Sequence, residues 1–138
     1  MPPLGRAALL IVGDVTALTA FAVAGRRTHD EAVGLAAVAG IIETALPFVA
    51  AWLVAALVLN ATATDRTATL RGMVVRTSVA WIAAFPLVAL FRGLLLGRAS
   101  PWTFYVVTFV VAFLMLLGWR VLFLLAERRL TGRPATQR

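Results

Sequence analysis

Residues 101–125 read PWTFYVVTFVVAFLMLLGWRVLFLL, a run of 25 residues with a single charge, Arg120. At a rise of about 1.5 Å per residue, a helix of this length exceeds the ~20 residues that cross a ~30 Å hydrocarbon core. Working outward, three more runs of the same kind precede it, at about 7–24, 36–59 and 74–96. Each has one ionisable residue well inside it, Asp14, Glu43 and Arg92 in turn, and Arg76 lies near the start of the third. The pattern predicts an all-α integral membrane protein, a four-transmembrane-helix up-down bundle, with residues 1–138 forming one membrane domain.

Composition points the same way. Hydrophobic residues make up 62% of the chain and charged residues 14%, against about 45–50% and about 25% in soluble domains, so the apolar surplus must face lipid. The absence of cysteine excludes disulfides, thiolate metal sites and cysteine nucleophiles. The net charge is +7, with 13 basic residues, all arginine, against 6 acidic ones. Basic loops beside membrane spans orient a protein, so this charge does not call for nucleic acid, and no nucleic-acid partner is expected.

The connections carry most of the polar residues. Residues 25–31 read GRRTHDE, residues 60–72 are rich in Thr and Ala, and residues 97–100 read GRAS, a tight turn. Ser100 can cap the last span and Pro101 suits its first helical position. The tail 127–138 is polar and basic, and is expected to fray at its end. Arg6 ahead of an apolar run that ends in Ala22-Val23-Ala24 resembles a secretory signal, but Asp14 interrupts the run, and an uncleaved anchor is the better reading. With four spans, the N-terminus, residues 60–72 and the tail share one side. That side has Arg6, Arg66, Arg71, Arg76, Arg128, Arg129, Arg133 and Arg138, and the other has Arg26, Arg27 and Arg98. The positive-inside rule then predicts N-in and C-in. On that topology the acceptor pattern Asn60-Ala61-Thr62 faces the cytoplasm, and it is read as a chance match.

The intramembrane charges are the candidate polar site: Asp14, Glu43, Arg92 and Arg120. Glu43 and Arg92 each lie roughly 9 Å to the outer side of their spans' middles, on consecutive antiparallel helices. Asp14 sits near the middle of span one, and Arg120 is about 10 Å to the inner side of the middle of span four, a gap that a long guanidinium can partly cover. Two pairs are therefore expected, Glu43–Arg92 and Asp14–Arg120, with snorkelling to the interface as the alternative for either arginine. A central Asp costs about 2.5–3.5 kcal/mol to insert, and each Leu, Ile, Val or Phe returns about 0.3–0.6 kcal/mol. The eight such residues of span one bring its sum near zero, so packing against the other helices has to supply the rest. Such pairs can fix helix register alone, or they can serve a functional site.

Other features have plainer readings. Ala89, Gly93 and Gly97, and Gly13 with Ala17, form small-residue faces suited to close helix contact. Pro47 and Pro86 lie inside spans and are read as kinks; the functional alternative is a cavity lined by freed carbonyls and the Glu43 carboxylate. Trp102 suits an interfacial anchor, whereas Trp52, Trp81 and Trp119 lie deeper, where an indole N–H needs a partner. His29 beside Asp30 and Glu31 matches no metal-ligand spacing, so no metal and no cofactor are expected. Arg26, Arg27 and His29 read better as an outer-surface site for an anionic ligand or lipid headgroup.

These residues also carry a resemblance. Asp14, Phe21 and Gly25-Arg26-Arg27-Thr28-His29 come first, then Thr44, Pro47-Phe48 and Trp52, then Arg76-Thr77, Trp81 and Arg92, and last Phe104 and Gly118-Trp119-Arg120. Together they resemble a family of small four-span prokaryotic membrane proteins, domain of unknown function 3054, over nearly the whole chain. The resemblance implies a prokaryotic plasma (inner) membrane and a recurrent polar set of Asp14, Arg26, Arg27, His29, Arg92 and Arg120. It supplies no activity. Small multidrug transporters also have four spans and an acid in the first, but only Asp14 invites that comparison.

The functional expectation is a binding or accessory component of the membrane with buried acid–base pairs, an enzyme being disfavoured because no nucleophile–base set is present. The alternative is a small proton- or cation-coupled transporter acting as an oligomer through Asp14 or Glu43. Expected partners are the lipid bilayer, anionic lipid within it, and either further copies of the chain or a larger membrane complex.

Overall fold

A computed structural model describes residues 2–27, 34–97 and 101–132, with residues 27 and 96 described in backbone only. Five helices run in the order α1 (Pro3–Arg27), α2 (Leu35–Val58), α3 (Thr64–Thr67), α4 (Leu70–Leu96) and α5 (Trp102–Thr131). Four of them, all but α3, are long and apolar enough to cross a membrane.

Local chemistry sets the ends of these helices. Pro3 opens α1, where its missing N–H costs nothing. At the end of α2, Asn60 adopts φ 53°, its N–H bonds Leu57 O, and the Ala61 N–H reaches back to Ala56 O at 2.8 Å. This is a Schellman termination with Asn in the place usually held by Gly. Thr69 caps α4 by accepting the Gly72 N–H at 3.0 Å. Gly97 and Gly132, both left-handed, stop α4 and α5. Pro101 stands just before the first helical residue of α5, one place earlier than its expected N1 position, and Ser100 lies outside the described residues.

The spanning helices pack as a closed ring in chain order: α1 on α2, α2 on α4, α4 on α5, and α5 back on α1. Each therefore lies beside its sequence neighbour, the up-down arrangement that short connections favour. The outer surface is apolar, with Leu9, Val12, Ile42, Ile82, Leu114 and Leu122 all exposed. The interior is layered. Toward the end that holds the termini, Leu10, Met73 and Leu124 form a small apolar layer. Above it, Trp52, Trp81 and Leu116 belong to a larger core that continues toward the other end through Phe48, Ala84 and Val88. Between the two apolar layers sits a layer of buried charge.

Two parts of the chain are more ordered than the sequence suggests. The connection 59–69 folds into the bundle rather than over it: Ala61, Thr62 and Thr67 are buried and α3 packs on α4 and α1. The first part of the tail is helical, since α5 continues to Thr131 with Glu127 bonded to Arg6, and residues 133–138, where fraying is expected, lie outside the described residues.

Candidate functional site

Asp14 on α1 and Arg120 on α5 meet in the charged layer, and both are fully buried. Arg120 Nε donates to Asp14 Oδ1 at 2.8 Å and Arg120 Nη2 donates to Oδ2 at 2.6 Å. This two-pronged contact is the geometry in which guanidinium–carboxylate bonds are strongest. From α2, Trp52 Nε1 donates to the same Oδ2 at 3.0 Å, and the Trp52 ring centroid lies 4.9 Å from the guanidinium carbon. Arg120 Nη1 donates to Ala61 O at 2.7 Å and, more weakly, to Thr77 Oγ1 on α4 at 3.4 Å. Every spanning helix, and the connection after α2, thus contributes to one neutral ion pair.

Energetics explain the saturation. A lone charge at bilayer depth costs several kcal/mol, and a buried pair is tolerated only when its remaining donors and acceptors are also met. Here both carboxylate oxygens are bonded and the guanidinium is bonded on all three nitrogens. The hub has no exposed atom through which to exchange a proton or cation while it stays closed. Such an arrangement can lock helix register.

A second ion pair lies two turns nearer the termini. Arg6, 2% exposed, donates from Nε to both Glu127 carboxylate oxygens at 2.8 and 2.9 Å. Its terminal nitrogens donate to Thr67 Oγ1 at 2.7 Å and to Thr67 O at 3.1 Å. Arg128 Nη2 donates to Ala68 O at 3.2 Å and Arg76 Nη1 to Leu59 O at 3.5 Å. With Arg120 on Ala61 O, four arginines from three spanning helices clamp the carbonyls of residues 59–68. In the sequence Arg6, Arg76 and Arg128 stand out as orientation signals, Arg6 also as part of a signal-like start and Arg76 as part of the family resemblance, but none is marked as a partner for these carbonyls.

The expected Glu43–Arg92 pair does not form. Glu43 is exposed on the outer face of α2 and makes no ion pair or side-chain hydrogen bond among the described residues. Matched depth fixed the height of the two groups but not their angle around the helix axes. Phe48, Ala51, Trp52 and Ala55 define the buried face of α2, and Glu43 lies some 140° away from Phe48 at about 100° per residue. Arg92 is half-buried with its guanidinium 4.2 Å from the Phe104 ring centroid.

Arg92 instead shares a cavity with Arg26. The cavity, about 750 Å³, opens at the end away from the termini, between α1 and α5. Its lining includes Phe21, Ala22, Thr44, Val107, Val111 and Met115, but neither Glu43 nor Pro47. Arg26 reaches α2 because Gly40 is bare there: a Cβ at Gly40 would collide with the guanidinium. Of the expected outer-surface trio, Arg26 is thus placed, whereas His29 and the Arg27 side chain lie outside the described residues. Among the described residues no cluster of three His, Cys, Asp or Glu could hold a metal.

The deep tryptophans differ in their partners. Trp52 bonds Asp14, and Trp81 Nε1 donates to Phe109 O at 3.1 Å. Trp119 Nε1 is buried with no partner among the described residues, its indole pressed onto the bare Cα of Gly13.

A family model described as protein of unknown function (DUF3054) matches residues 11–123. The chain belongs to the DUF3054 family. The matched segment contains the whole hub, Asp14, Trp52, Ala61, Thr77 and Arg120, together with Arg26 and Arg92 of the cavity and Gly40, against which Arg26 is seated. Arg6 and Glu127 flank it, so the second ion pair falls outside the segment that defines DUF3054. No curated protein and no solved structure matches the chain.

Proposed function

We propose that this DUF3054 chain is a membrane-embedded binding component that docks, through the outer face of α2, onto a spanning helix of another membrane protein. One observation carries the reading: the Glu43 carboxylate lies exposed on a helix face shared with Ala36, Ala39 and Leu46, without a bond among the described residues. A carboxylate facing hydrocarbon costs about 2.5–3.5 kcal/mol at mid-span, and intramembrane charges normally meet a partner. A helix presenting an Arg, Lys or amide donor at that height removes the cost. The rival reading, a proton- or cation-coupled carrier working through Asp14, is weakened by the bonding of both Asp14 oxygens inside a fully buried hub.

The test is site-specific photo-crosslinking in native membranes from Leu46, one turn from Glu43 on the same face. The expected result is one adduct with a different protein, reduced at least fivefold by Glu43→Leu and much less by Glu43→Gln. Adducts only between copies of the chain would replace the accessory reading with an oligomeric one, and a pattern indifferent to Glu43 would remove the carboxylate from the interface.

A further inference from the structure

We infer that the cavity between α1 and α5 is a binding site for one anionic phospholipid, with its phosphate at Arg26 and Arg92 and an acyl chain along the groove. The site is independent of the Glu43 face and of any protein partner there.

Three observations fit this occupant. The first is polarity along the groove. Its walls are Phe21 and Ala22 of α1 and Val107, Val111 and Met115 of α5, while its charged groups are the two guanidiniums at the helix ends. No carboxylate is among the described lining residues. The second is depth. From Thr103, beside the helix start, to Met115 the groove follows α5 for twelve residues, roughly 18 Å. One leaflet of a ~30 Å core is roughly 15 Å deep, so the groove spans the length available to one chain. The third is preparation of the charged end. Arg92 is stacked on Phe104 and Arg26 is seated where Gly40 lacks a side chain. Both guanidiniums are held by packing, and a planar fork suits phosphate oxygens. The volume of about 750 Å³ falls in the roughly 300–1,000 Å³ range of small-molecule sites.

A zwitterionic lipid offers the same chain and phosphate, but its ammonium meets two guanidiniums. A soluble phosphate offers the anion without the chain. The anionic phospholipid alone uses both halves of the groove.

Native mass spectrometry of the full chain, released from bilayers of equal phosphatidylglycerol and phosphatidylcholine, tests this. One phosphatidylglycerol per chain should be retained, at least tenfold over phosphatidylcholine. Arg26→Gln with Arg92→Gln should abolish the preference. Val111→Trp, which fills the groove and leaves both arginines, should cut retained lipid of either kind at least tenfold. Gly40→Ala displaces only the flexible end of Arg26 and should reduce the preference severalfold, keeping the test valid if the double variant does not fold. Equal retention of the two lipids by the unaltered chain overturns the proposal. So does a preference that survives Gly40→Ala and the double variant unchanged, or stripping of the bound lipid by millimolar glycerol phosphate, which would mean that the anion binds without the chain.

Discussion

Arg120 spends its donors on an acid, a backbone carbonyl and a hydroxyl, each on a different part of the chain. Removing one member of such a buried pair leaves the other charged and unpaired, which typically costs about 3–5 kcal/mol. Asp14→Ala should therefore destabilise the bundle by about that amount in reversible unfolding from bicelles, and Asp14→Asn by less, since an amide still accepts one bond. Replacing both residues by Leu should recover much of the loss. A double-mutant cycle with no coupling would contradict the pairing. Trp52→Phe removes a bond to a charged group and should cost about 1.5–3 kcal/mol by the same measurement. The Asp14–Arg120 contact was legible in sequence because only two acids and two bases had to be matched by depth, and long side chains forgive errors of height. Glu43 was not legible, because depth arithmetic ignores azimuth, and one helix's buried face emerges only once its neighbours are known. Trp52 is marked in the sequence as a deep indole that needs a partner, and Thr77 is a hydroxyl inside span three. Ala61 O could not, since a backbone carbonyl leaves no mark in a sequence.

At the scale of elements, α1 and α5 show how a single register serves several contacts. Eight positions separate Arg6 from Asp14, and seven separate Arg120 from Glu127. On antiparallel neighbours, the alignment that pairs Asp14 with Arg120 also brings Arg6 to Glu127. That regularity was present in the sequence, but Arg6 and Glu127 lie beyond the apolar runs and drew attention only as flanking charges. The same interface is close at Gly13, where the Trp119 indole occupies the space of a side chain. Gly13→Ala should force the two helices apart and cost about 1–3 kcal/mol as overpacking, detectable as a lowered unfolding midpoint; an unchanged midpoint would mean that Trp119 can move aside freely. The small faces of α1 and α4 look alike in sequence, yet a Cβ at Gly93 or Gly97 meets none of the described residues within 4 Å. Only the α1 face is used inside the bundle. The clamp on residues 59–68 yields a separable prediction. Arg6→Gln removes the bond to Glu127 and weakens the hold on Thr67, so amide exchange at Arg66 and Thr67, whose N–H groups bond Ala63 O, should accelerate at least tenfold. Exchange in the middle of α4 should stay unchanged, and acceleration spread evenly over all helices would mean that Arg6 supports global stability instead.

For the molecule as a whole, the open question is which way the bundle faces. The arginine count favours the cytoplasm for the end that holds the termini, although Arg6, Arg76 and Arg128 are partly withdrawn into carbonyl bonds in the folded state. Folding does not undo the bias, because orientation is set by charges within about 15–20 residues of the span ends while helices insert. Arg66, Arg71 and Arg129 moreover remain exposed at that end. The orientation matters because it decides which leaflet meets Arg26 and Arg92 in the groove. A chain without cysteine gives a clean background for thiol labelling. Leu4→Cys and Leu130→Cys, at positions 87% and 82% exposed, report on one end, and Trp102→Cys, at a position 74% exposed, on the other. An impermeant maleimide added to intact cells should label Trp102→Cys alone, and the other two only after permeabilisation. Labelling of Leu4→Cys and Leu130→Cys in intact cells, with Trp102→Cys protected, would reverse the orientation. It would also move the basic groove from the outer to the inner leaflet, where anionic headgroups are met from the cytoplasmic side.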